Sequence, residues 1–262
     1  MDPPRQSDKP ETRPAGETRL WSGPSRPPPP EPGPPPASQP AALRDWAARA
    51  GRYREEVLYP PLFGPAHSRA FPIPEDIVSG LFKPESFKPQ WLQQAVIEFA
   101  PTKPRPSWLY ATSGLSDAWE AESPNPMAPA GLGCEFVLET RAQSPWAIVR
   151  LQQMIAFQVL IAQGRFPNRK PLDDFDRVPL RAPLGPEPSV LTWLMLAPPT
   201  GFPRKARLQS GFFNFFQAVG ISEAEAAYAR AEGGEELWKL LQVYSLFPVT
   251  DPRRPSVLTG KK

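Results

Sequence analysis

The sequence has little of what most metal sites and covalent catalysts are built from. Among 262 residues there is one cysteine, Cys134, and one histidine, His67. A single cysteine excludes an internal disulfide, and a lone histidine leaves no Cys/His cluster of metal-ligand spacing. No stretch approaches 18 uninterrupted apolar residues, and the start Met1-Asp2-Pro3-Pro4-Arg5 lacks an apolar signal segment. Neither a membrane span nor secretion is expected, so a cytoplasmic location is the default. Charge of one sign is also scarce. Lys and Arg total 30 against 27 acidic residues, a formal net charge of +3. The densest basic stretch is Arg204, Lys205 and Arg207, well short of the concentrated footprint that nucleic-acid binding requires.

Proline, by contrast, is abundant and unevenly placed. Of 40 prolines, 14 fall in residues 1–40, where five basic and five acidic residues cancel and Trp21 is the only aromatic. Such a segment cannot bury enough apolar surface to offset the entropy of ordering it. Residues 1–40 read as a disordered, locally polyproline-II tail, either a passive extension or a segment for a proline-reading groove. The remainder, with most of the 8 Trp and 15 Phe, has ample material for one substantial core.

Along that remainder, Leu43, Trp46, Ala50, Tyr53 and Val57 recur at helical spacing with Arg44, Arg49, Arg52, Arg54 and Glu55 between them. Pro60-Pro61 is expected to stop this helix. Ala95–Phe99 and Trp108–Thr112 read as a hairpin around a proline-rich loop. In the strand Cys134–Thr140, alternation puts Cys134, Phe136 and Leu138 toward a core, with Glu135, Val137 and Glu139 on a wetter or covered face. A largely buried helix is expected over 145–163, with Ser144 as cap and Gly164 at its end. Val190–Leu196 reads as an interior strand, and two short sheet-type pieces surround Phe212-Phe213 and Phe215-Phe216. Ser222 and Glu225 have capping-box spacing, opening a helix to about Ala231, and a second helix covers 236–244. Val249-Thr250 and an Asp251-Pro252 turn close the domain, followed by a short basic tail. Without a βαβ period, the fold class is α+β (mixed α/β).

Catalytic readings find little support. Cys134 lies inside a strand, and His67 sits in a proline-bracketed loop. Thr112–Ser116 lacks the glycine-flanked pattern of a nucleophile turn. Gly131-x-Gly133 leads into a strand, so no helix terminus is available to cradle phosphate. Glu135 and Glu139, with Asp173, Asp174 and Asp176, could form a carboxylate-lined acidic site only if the fold brings them together. An enzyme of that kind is the alternative reading.

One combination of segments is recognisable. A strand precedes the loop Pro101-Thr102-Lys103-Pro104-Arg105-Pro106. Next come Trp108-Leu109-Tyr110-Ala111-Thr112-Ser113-Gly114-Leu115-Ser116-Asp117, Gly131-Leu132-Gly133-Cys134-Glu135-Phe136-Val137-Leu138 and the Pro145-Trp146 helix. Phe215-Phe216-Gln217-Ala218-Val219-Gly220-Ile221, with Glu223 and Glu225, and Val249-Thr250-Asp251-Pro252-Arg253-Arg254 complete it. In order and content these resemble the suppressor-of-fused domain family, particularly its compact bacterial members, over residues 41–258. Ala111 departs from the pattern, since bulkier residues are common there, and the proline-rich tail is no part of the family's domain. Residues 259–262 are left as a flexible end.

The resemblance implies a central sheet, mostly antiparallel or mixed, covered by helices. It also implies a non-enzymatic domain that binds another protein and needs no cofactor. The animal relative encloses a peptide between two lobes, but this chain resembles only the amino-terminal lobe, so the clamp is not carried over. Bacterial relatives often look like immunity proteins of toxin systems, which suggests a cognate toxin as partner. The motif residues Gly114, Leu115, Ser116, Asp117, Gly133, Glu135, Gln217, Gly220 and Asp251 are expected to be mainly architectural. Trp119, Phe202, Trp238 and Tyr244 are the candidate interface anchors.

Overall fold

A computed structural model describes residues 41–74, 77, 93–118, 123–180, 182–185 and 188–259, with the side chains of 41–44 left out. The expected tail 1–40, the anchor Trp119 and the last three residues lie outside this set. The chain enters through α1 (Ala41–Tyr53), a π-helical turn (Arg54–Leu58) and α2 (Tyr59–Phe63). Here the expected apolar stripe is corrected. Tyr53 and Val57 are 46% and 52% exposed, whereas Trp46, Ala50 and Arg54, each four residues apart, are buried. The π turn adds a residue per turn and so rotates the following side chains around the axis. Pro60-Pro61 does not end the helical run. The π turn and α2 follow on without a break, and the two prolines stand in the first turn of α2, directly after the π turn.

The strands are β1 (Phe71–Pro72), β2 (Ala95–Phe99), β3 (Trp108–Ser113), β4 (Pro129–Thr140), β5 (Arg177–Pro179), β6 (Leu191–Ala197), β7 (Lys205–Leu208), β8 (Gly211–Ser222) and β9 (Val249–Thr250). Between them lie α3 (Pro145–Ala162), α4 (Glu223–Ala231) and α5 (Gly234–Val243). The strands form one mixed sheet in the order β1-β2-β3-β4-β8-β6-β5, with β7 on β8 and β9 on β4. The β4–β8 and β4–β9 pairs are parallel and the others antiparallel. The two short pieces expected around Phe212 and Phe215 are one continuous strand, β8. The α+β class and the mixed sheet are as expected.

Alternation along the strands fixes what covers each face. Phe136 and Leu138 of β4, with Phe216 and Ala218 of β8, pack under α3 through Leu151, Met154, Ile155 and Val159. By length and composition α3 could cross a membrane, but eleven of its 18 residues are buried, as in the core helix of a globular domain. Ser144 stands at the N-cap position but its side chain caps no amide, and its hydroxyl donates to Ala142 O. The other face is covered twice. Tyr59 and Phe63 sit on Phe99, Leu109, Val137, Phe213 and Phe215, while Ala226, Leu237 and Leu241 sit on Met195, Val219 and Ile221. Ser222 and Glu225 form the expected capping box, which sets where α4 leaves β8.

Candidate functional site

The face of β4 that carries Glu135 and Glu139 is not wet. Glu135 is completely buried and Glu139 is 3% exposed. A buried carboxylate is tolerated only when donors or a cation compensate it, and at Glu135 both do. Glu135 Oε1 accepts the amides of Gly114 (3.1 Å) and Ser116 (2.9 Å) and the Ser116 hydroxyl (2.7 Å). Its Oε2 takes the Thr112 hydroxyl, whose oxygen in turn accepts Phe136 N–H at 2.8 Å. The Arg54 guanidinium lies 3.6 Å from Oε1 and donates to Ser116 Oγ (2.9 Å), Ser113 Oγ (2.8 Å) and Asp117 Oδ1 (2.7 Å). Burial disfavours the Arg54 charge, but Asp117 and Glu135 outweigh it and hold the group protonated. Burial pushes the Glu135 carboxyl above its ordinary value, against the pull of Arg54 and the hydroxyls of Thr112 and Ser116. Asp117 is thus a partner of Arg54.

Gly114 makes this cradle possible. Its φ is +119°, and a Cβ there would lie 2.9 Å from the Gln94 backbone. Leu115 is buried in the α3-side core, and its carbonyl accepts Leu132 N–H at 2.7 Å. Gly133 sits in the irregular stretch of β4 between its paired residues Pro129 and Cys134.

A second buried pair ties the end of the chain to the sheet. Arg254 donates through Nη1 and Nη2 to Glu225 at 2.7 Å each, and Nη2 also reaches Gly220 O at 2.8 Å. Burial alone would raise the Glu225 carboxyl, but Arg254 and the Ser222 and Val257 amides hold it below its ordinary value. Gly220 is needed for space. A Cβ there would stand 2.3 Å from Leu184 Cδ1 and 2.9 Å from Thr250 Cγ2. Asp251 accepts Arg253 N–H at 3.0 Å and approaches the Arg141 guanidinium at 3.5 Å.

Gln217 lies fully buried within β8 with neither side-chain amide atom hydrogen-bonded among the described residues. Of the anchors, Trp238 is half-buried between Phe175 and Phe247, and Tyr244 is 53% exposed beside exposed Val243. Phe202 packs edge-on against Phe63 and Phe215, and it also borders an open cleft of about 620 Å³. Leu62, Arg105, Ser107, Glu139 and Val249 share that border. Sequence reasoning did not assign Arg54, Arg254 or Arg105 to these positions. The i, i+4 spacing of Arg54 behind Trp46 and Ala50 was the available signal.

The proposed acidic cluster does not assemble. Glu135 engages Arg54 and the turn, whereas Glu139 is about 13 Å farther along the strand and engages Ser107. Asp173 and Asp174 pair with Arg204, while Asp176 accepts Asp173 N–H. The three sets share no partner. Cys134 is buried in the α3-side core, where burial drives its thiol up, and exposed His67 lies edge-on against Trp108. Among the described residues, no group of three or more His, Cys, Asp or Glu could hold a metal ion.

The arrangement is a mixed sheet with α3 on one face and two helical covers on the other, an α+β domain. The model of suppressor of fused protein matches residues 90–255, and the chain belongs to that family. The matched region leaves out α1 and the π turn that supplies Arg54. No curated protein sequence matches at a significant level. Among solved structures, Drosophila Suppressor of Fused aligns with a TM-score of 0.50 at 20% identity, over 64% of this chain and 44% of that one. This chain therefore spans less than half of the Drosophila protein's length. A chain of the Sufu–Fu complex aligns with a TM-score of 0.50 at 18% identity, over 72% of this chain and 93% of that one. A suppressor of fused homologue from Neisseria gonorrhoeae gives 0.47 at 18%, over 63% and 78%.

Proposed function

We propose that this chain is a non-enzymatic protein-binding domain that acts in the cytoplasm as an immunity protein, covering and neutralising a cognate toxin. The observation that carries the binding reading is family membership, joined to a fold shared with a chain that was crystallised in a protein complex, Sufu with Fu. The placement of the ionisable groups supports the non-enzymatic part. Glu135, Glu225 and Asp174 are each engaged by an arginine of the fold itself. Inhibition then comes from an interface that occludes the toxin's substrate site, with an apolar centre and a charged rim. The test is co-purification of the full chain from its native cell, followed by calorimetric titration of the purified pair and a growth assay with and without this chain. Retention of one specific protein, with protection against its toxicity, supports the proposal. A captured protein that is not toxic would leave binding standing and remove the immunity role. Failure to retain any protein under several native extraction conditions would remove both.

A further inference from the structure

The twice-covered sheet face leaves a gap, and the sheet residues beneath it are unusual. Phe213 and Phe215 of β8 lie under the α1–α2 cover and Val219 and Ile221 under the α4–α5 cover. Gln217 is the residue between them on the same face. Its neighbours in register are Val137 of β4 and Ala197 of β6. Two residues beyond Val137 comes Glu139, and a few beyond Ala197 comes Phe202, both on the border of the cleft. One wall, Leu62, belongs to α2, and the facing wall, Pro248 and Val249, follows α5. The cleft is therefore the seam between the two covers, and Glu139 is the buried carboxylate on its wall.

The polar groups at this seam are not equally occupied. Arg105 donates to three carbonyls, those of Phe63, Ala100 and Ser107, and so fastens α2 to the β2–β3 loop. Glu139 Oε2 takes the Ser107 hydroxyl. Its Oε1 has no donor among the described residues and is not sealed from solvent, and no ion pair joins Glu139 to Arg105 among them. The group left over is an almost completely buried carboxylate on the wall of an open, partly apolar cleft. An acceptor in that setting is best satisfied by a charged donor, and the flanking Leu62, Phe202 and Val249 suit a long aliphatic stem.

We propose that the cleft is the docking site for one lysine or arginine side chain of the partner protein, its charged end on Glu139 and its stem against Phe202. The inference rests on the protein-binding reading above and specifies which chemistry that partner presents.

The test uses the full chain and capped pentapeptides Ala-Ala-X-Ala-Ala, with X arginine, lysine, leucine or glutamate. Binding is read from the amide resonances of Ser107, Glu139, Arg141 and Val249. Saturable shifts with the arginine and lysine peptides, and not with the other two, are expected. Glu139→Gln keeps the size and the Ser107 contact but loses the charge, and should weaken binding at least about tenfold. Arg141→Ala removes a 68% exposed cation from the rim and should tighten binding about two- to threefold by relieving like-charge repulsion. Equal response to the glutamate peptide, absence of any saturable shift, or unchanged affinity in a natively melting Glu139→Gln protein would overturn the proposal. Should that variant not fold, Arg141→Ala decides: tighter binding supports the site, while unchanged or weaker binding refutes it. Capture of a native partner without peptide binding would sink the cleft assignment and leave the protein-binding reading intact.

Discussion

Replacing Arg54 with methionine keeps most of the side chain's volume and removes its charge, which isolates the electrostatic role of a residue buried to 1% exposure. Four donors to Glu135 survive the change: the Gly114 and Ser116 amides and the Ser116 and Thr112 hydroxyls. What is lost is the cation 3.6 Å from Oε1 and the guanidinium bonds to Ser113, Ser116 and Asp117. Removing one partner of a buried ion pair costs about 3–5 kcal/mol. Because Glu135 keeps four donors and Asp117 is 24% exposed and can rehydrate, the lower end applies, about 3 kcal/mol. That is a large part of the roughly 5–15 kcal/mol that holds a domain together. Urea unfolding at pH 7 should show it as a lower midpoint at unchanged slope. The loss should also depend on pH. Without Arg54 the folded-state pKa of Glu135 rises further above its unfolded value, so the variant retains stability at low pH and loses it as pH rises through that window. Arg54→Met should therefore lie closer to wild type at pH 5 than at pH 8, and Arg54→Met/Glu135→Gln should recover part of the loss. A loss below about 1 kcal/mol, as for a solvated ion pair, with no pH dependence, would refute the reasoning.

Gly114→Val should destabilise more than Ser116→Ala, because it combines a disfavoured backbone angle with a 2.9 Å contact on Gln94 backbone, costing about 1–3 kcal/mol for the angle alone. Chemical unfolding of the two variants side by side checks the order. Gly220→Ala should cost about 1–3 kcal/mol by overpacking against Leu184 and Thr250, seen as a lower melting temperature with a native circular dichroism spectrum. Glu225 is held below its ordinary pKa in the folded state, so its contribution is present above the unfolded value and lost as pH falls through the folded one. An acid titration of Glu225→Gln should lack that component of unfolding. Burial raises the Glu139 carboxyl, which gives the opposite sign: stability declines as pH rises above the unfolded value, and Glu139→Gln should flatten that slope.

Elements with strong periodicity or punctuation were legible in the sequence. The β2–β3 hairpin, α3 and the Ser222–Glu225 capping box each follow from signals a few residues apart. What could not be read depended on long-range pairing. Nothing local says that β4 lies parallel to β8, or that β9 extends the same strand edge, because those contacts join segments far apart in the chain. The stripe of α1 failed for a specific reason. Tyr53 and Val57 are apolar and helically spaced, yet the buried position belongs to Arg54, because a carboxylate on β4 needs a cation and Arg54 shares the helix face of Trp46 and Ala50, while the π turn shifts the residues that follow. Glu135 was assigned to the right motif and to a wetter or covered face, since alternation identifies a face without saying what covers it; the structure shows it covered. Gln217 shows the same limit, for only the tertiary structure reveals that its amide is wholly buried.

The parallel β4–β8 pair at the middle of the sheet also governs when this protein can exist as a folded object. Cys134 pairs with Asn214 and Thr140 with Thr250, so the two closures span about 80 and 110 residues. The entropy of closing such loops must be overcome before the contacts within them contribute, which slows folding relative to a chain of local hairpins. During synthesis the β2–β3 hairpin can form early, but β4 keeps an unpaired edge until β8 emerges, and Glu225 lacks Arg254 until 29 further residues have been added. Nascent chains would expose β4 to other strands throughout that interval, and any truncation before Arg254 would leave a buried carboxylate without its cation. Assembly of the domain is thus concerted and late, completed by its carboxyl-terminal segment.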